Sequence, residues 1–86
     1  MTDLTETLVR FVAERARLDE TRVRSVFDEP LRDLLDSVDM IDLLVLVEKT
    51  FDIIIDDAEV TPETFESIAS ALAFLDAKVA EAAQTR

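Results

Sequence analysis

The chain contains no glycine, and its two prolines stand at positions 30 and 62. Glycine enters left-handed backbone without steric cost, and the tightest β-hairpin turns depend on it. Without it the chain has little with which to build hairpins, so the sequence predicts an all-α fold. At 86 residues there is apolar surface for one modest core, hence a single domain over 1–86. Hydrophobic residues make up 49% of the chain, yet there are only five Phe and no Trp or Tyr. The core must therefore be built from Leu, Val, Ile and Ala. An apolar half beside 34% charged residues also sets the chain apart from disordered sequences.

Apolar spacing places the helices. Leu4, Leu8, Phe11, Val12 and Ala16 recur at helical intervals and predict a first helix over about residues 3–17, with Thr2 or Asp3 as N-cap. From Leu18 to Asp36 the pattern loosens into mixed charge around Val23, Val26, Phe27, Leu31, Leu34 and Leu35. A connection this long tends to be functional or to hide a short helix, and these apolar residues are expected to pin it across the core. Pro30 suits a turn or the first position of a brief helix ending at Asp33. A second main helix is predicted over Ser37 to Phe51, opened by Asp36 or Ser37 as cap. Its apolar residues cover more than the single stripe that a surface helix needs, so part of that surface should face something besides the core.

Ile53, Ile54 and Ile55 are β-branched but have no strand to pair with, and are expected to form an extended connector that plugs the bundle. A short third helix is predicted within Asp57 to Thr64, with Pro62 at its first position after Thr61. The last helix is predicted from Ser67, with Ile68, Leu72, Leu75 and Val79 on one side, fraying near Ala82. The ordered core is expected over about 4–80, with 81–86 a flexible tail.

Charge and residue type narrow the function. Twenty Asp and Glu against nine Lys and Arg give a net charge of −11. Such a field repels nucleic acid and anionic membranes and draws proteins with basic patches. With no His and no Cys the chain lacks imidazole bases, thiol nucleophiles, disulfides and the usual zinc ligands, so it is not expected to be an enzyme. Asp56, Asp57 and Glu59 lack the spacing of a calcium loop, and no metal site is expected. The longest apolar run, Leu43 to Val47, is far too short to span a bilayer. The opening residues are acidic where a secretory signal would be basic, so a cytoplasmic location is expected.

One constellation stands out. The segment Leu34-Leu35-Asp36-Ser37-Val38-Asp39-Met40-Ile41-Asp42-Leu43 resembles the Asp-Ser-Leu attachment site of acyl and peptidyl carrier proteins. The likeness continues through Leu46, Glu48, Phe51, Ile53, Ile55 and Asp57, and through Phe65-Glu66-Ser67-Ile68-Ala69 to Leu72 and Leu75. Two positions depart from the family pattern: Leu35 stands where Gly is common, and Val38 where Leu is common. The family also often carries more acid around Lys49.

The resemblance implies a small four-helix bundle of acyl-carrier type, with a long first loop and a short third helix. It implies that Ser37 carries a 4'-phosphopantetheine arm, delivered from coenzyme A by a phosphopantetheinyl transferase, whose thiol holds acyl or aminoacyl intermediates as thioesters. Asp36, Asp39, Asp42 and Glu48 would then form an acidic docking face, with Val38, Ile41 and Val45 as its apolar contacts. Further partners would be a loading ligase or acyltransferase and downstream synthase or transferase enzymes of fatty-acid, polyketide or nonribosomal peptide biosynthesis, which a monomeric carrier meets in trans. A helix start suits a phosphodiester, because backbone N–H groups there lack partners and the dipole is positive. The plainer alternatives are Ser37 as an ordinary N-cap and the chain as a non-covalent, acidic helical interaction module.

Overall fold

The computed structural model describes residues 3–84. Four α-helices run in order as α1 (Leu4–Ala16), α2 (Glu20–Ser25), α3 (Ser37–Phe51) and α4 (Ile68–Gln84), and the described residues contain no strand. Helix α1 packs against each of the other three. Its Leu4, Leu8, Val9, Phe11 and Val12 are buried in one cluster with Val23 of α2, Leu43 and Val47 of α3, and Ile68, Ala71 and Leu75 of α4. No charged or polar residue is buried with them among the described residues.

Each helix start has a local cause. The Asp3 carboxylate accepts the Thr5 N–H at 2.9 Å and opens α1, while the alternative cap Thr2 lies outside the described residues. Asp19 accepts the Arg22 N–H at 2.8 Å and opens α2, the short helix within the long first loop. Ser67 accepts the Ser70 N–H at 3.1 Å and opens α4. The first loop is pinned as its apolar residues suggest, with Val26, Leu31 and Leu35 buried. It is also tied to the start of α4, where Leu31 N–H donates to the Glu66 carbonyl at 2.9 Å and Ala69 N–H to the Phe27 carbonyl at 3.1 Å. Pro30 precedes a 3₁₀ turn over Leu31–Asp33.

The short third helix expected within Asp57 to Thr64 is not an α-helix. That stretch holds one 3₁₀ turn, Asp57–Glu59. Thr61 to Thr64 closes as a β-turn, with Thr64 N–H donating to the Thr61 carbonyl at 3.0 Å. Pro62 takes the second position of that turn, for which its fixed φ is equally suited. Helix α4 runs through Gln84, two residues past the fraying expected near Ala82. Ala80, Ala82 and Ala83 are strong helix formers, and Lys78 pairs with Glu81 at 3.3 Å. Residues 85–86 lie outside the described residues.

Without glycine, two other residues take the left-handed positions that end helices. Arg17 (φ 58°) ends α1 and Asp52 (φ 55°) ends α3. In both, the next N–H reaches back five residues, Leu18 to Ala13 at 2.9 Å and Ile53 to Glu48 at 3.1 Å. This is the Schellman arrangement. Beyond Asp52 the backbone is extended, so the isoleucines alternate: Ile53 and Ile55 are buried and Ile54 is 91% exposed.

Left-handed backbone costs a residue with a Cβ roughly 1–2 kcal/mol, part of which glycine forfeits again through unfolded-state entropy. Arg17→Gly is therefore expected to stabilise the fold by about 0.5–1 kcal/mol in urea unfolding, whereas Leu43→Ala should cost about 2–5 kcal/mol.

Candidate functional site

The first turn of α3 is organised by Asp36, one residue before the helix. Its carboxylate accepts the Asp39 N–H at 2.8 Å, and the Asp39 carboxylate accepts the Asp36 N–H at 3.3 Å. This reciprocal pair is a capping box built from two aspartates. Met40 N–H donates to the Asp36 carbonyl at 3.1 Å, as the helix begins. Ser37 is thus the first residue inside the helix and not its cap. Its side chain is exposed, and its hydroxyl has no hydrogen-bond partner among the described residues. The N–H groups of Ser37 and Val38 are left as the open donors of that turn.

Down the outer face of α3, Val38, Ile41 and Val45 are 64%, 60% and 41% exposed. Their spacing of three and four residues sets them in one stripe. Met40, Leu44, Leu46 and Phe51 pack instead against the core, and Leu43 and Val47 are within it. The surplus apolar surface read from the sequence is this outer stripe. Lys49, one turn beyond Val45, is exposed at its far end.

The carboxylates of α3 are each engaged within the molecule. Arg15, in the last turn of α1, places one guanidinium nitrogen, Nη1, 2.9 Å from Asp39 Oδ1 and 2.9 Å from Asp42 Oδ2. The same guanidinium lies 4.9 Å from the centre of the Phe11 ring. Glu48 turns to the connector and accepts the Ile55 N–H at 2.9 Å. Arg15 is the residue that sequence reasoning missed. It was legible only as a basic group at a helix C-terminus, and its partners lie 24 and 27 positions away.

No protein-family model matches the chain, and no curated protein does.

A groove of about 360 Å³ beside the first turns of α3 is lined by Pro30, Arg32, Met40, Pro62 and Phe65, among others. Elsewhere, Lys78 of α4 pairs with Glu59 and lies 5.9 Å from the centre of the Phe74 ring. The Asp56 carboxylate turns to its own backbone, accepting the Ala58 N–H at 2.9 Å. No helix among the described residues is long and apolar enough to cross a membrane.

Hydrogen bonding from Arg15 holds the Asp39 carboxyl below its ordinary value, with the Asp36 N–H adding to the effect. A carboxylate whose folded pKa is depressed stabilises the fold above its unfolded value of about 3.9, and that contribution fades as pH falls through the folded value. Arg15→Met keeps the aliphatic stem beside Phe11 and removes the charge. It should raise the Asp39 pKa, read by carboxyl NMR titration, and flatten the loss of stability below about pH 4.

Proposed function

We propose that this chain is a carrier protein of the acyl and peptidyl carrier type, and that Ser37 is the acceptor of its phosphopantetheine arm. The observation that carries this reading is the division of labour at the start of α3. Asp36 performs the capping, so the Ser37 hydroxyl is exposed and free of structural duty. A serine serving as N-cap would have its oxygen committed to a backbone N–H.

The surroundings fit a phosphodiester. The open N–H groups of Ser37 and Val38 and the positive end of α3 favour an anion there. Asp36 and Asp39 would oppose it, but Asp39 is paired with Arg15, which tempers the repulsion. In the transfer, Ser37 Oγ bonds to the phosphorus of coenzyme A that bears pantetheine, adenosine bisphosphate leaves, and the hydroxyl proton passes to a base on the transferase. The arm, once attached, supplies the thiol on which an acyl or aminoacyl group rides as a thioester. This chain's own part is to hold the attachment point at a rigid helix start and to present the stripe beside it. The groove at Met40 and Phe65 opens next to the same turns and offers an apolar place for cargo. The three main helices α1, α3 and α4, with a long pinned loop between α1 and α3, are compatible with a carrier-type bundle, with a 3₁₀ turn where its short third helix was expected.

A non-covalent interaction module is the second reading, favoured by the exposed Val38, Ile41 and Val45 stripe. The two readings part at Ser37. Incubated with coenzyme A, Mg²⁺ and a broad-specificity phosphopantetheinyl transferase, the chain should gain the mass of one arm, and Ser37→Ala should gain none. No gain in the unaltered chain, or an equal gain in Ser37→Ala, would overturn the carrier reading.

A further inference from the structure

We infer that Arg15 withdraws Asp39 and Asp42 from the charges that α3 offers a partner, so the protein that docks here presents an apolar cleft and not a cluster of basic side chains. This rests on the carrier reading for the partner's role, but it is argued from contacts within the chain. Four carboxylates flank the exposed stripe, and each is engaged. Asp39 and Asp42 share Arg15 Nη1, Glu48 holds the Ile55 N–H, and Asp36 caps its own helix. Asp39 and Asp42 lie three positions apart on one helix and would repel each other, so the cation between them removes a cost as well as filling a site.

An arginine arriving on a partner meets two carboxylates whose charge Arg15 already partly offsets, so an exposed contact with them adds little. Burial of Val38, Ile41 and Val45 has no such competitor, because the described residues leave them exposed. The ends of the stripe give the cleft its polarity. Lys49 stands exposed at one end without an ion pair among the described residues, and it calls for a carboxylate on the partner. Ser37 stands at the other, where the reacting group must enter the partner. The chain's net charge of −11 still hastens encounter with basic proteins, but it does so over the whole surface and not through this face.

Two synthetic amphipathic helical peptides that share a leucine face, one flanked by arginine and one by glutamine, serve as probes in NMR titrations at fixed salt. A mutant cycle cancels the general attraction to cationic peptides. Replacing both Asp39→Asn and Asp42→Asn should weaken the arginine peptide by less than about 2-fold in the unaltered chain, and by about 5-fold or more when Arg15→Met is also present. Ile41→Ser with Val45→Ser should weaken both peptides about 10-fold or more in either background. Equal losses from the Asp changes in both backgrounds, or binding indifferent to the Ile41 and Val45 changes, would overturn the inference. Arg15→Gln provides the same cycle should Arg15→Met disturb amide signals beyond α1 and the start of α3. The titration involves no modification of Ser37, so a chain that refuses the arm would remove the carrier reading while the peptides still judge the docking face.

Discussion

Asp39 is bonded in two directions, to the Asp36 backbone that begins α3 and to the Arg15 guanidinium that ends α1. Through it the capping of one helix is joined to the placement of another, and α1 is the helix on which all the others pack. The order this gives the start of α3 is local and inexpensive, being made at the surface without burying any charge. Its consequence for chemistry is that Ser37 sits at a fixed point with nothing required of its hydroxyl.

The main helices were legible because their apolar residues repeat at helical intervals over three turns or more. Ser37 to Phe51 was readable to the residue, with Asp36 or Ser37 as the expected cap, of which the structure uses Asp36. Helix α2 was legible only as a short helix that the long loop could hide, because six residues with Val23 as their one buried side chain give no period to place it. The Thr61-Pro62 pair was ambiguous in a physical sense: a fixed φ suits the first position of a helix and the second position of a β-turn alike. Arg17 and Asp52 were hidden by the absence of glycine, which ordinarily marks a left-handed helix end.

At the site, the residue types were legible and their engagements were not. The sequence marks Asp36, Asp39, Asp42 and Glu48 as one acidic face, and the fold turns them toward separate tasks. Half of the residues that α3 leaves exposed are apolar, namely Val38, Ile41 and Val45. Electrostatics on this chain therefore acts at two ranges. In the proposed docking, the overall acidity acts on approach, whereas contact falls to the stripe and to the group that Ser37 would carry.

In the proposed reading, Asp36 alone caps α3 and the Ser37 hydroxyl is left for the arm. Equilibrium unfolding of Ser37→Ala beside Asp36→Ala measures this most directly. The account predicts that Asp36→Ala loses about 1 kcal/mol of stability, the usual cost of a lost cap, while Ser37→Ala stays within about 0.5 kcal/mol of the unaltered chain. A Ser37→Ala variant as unstable as Asp36→Ala would contradict it, because the hydroxyl would then be holding the helix.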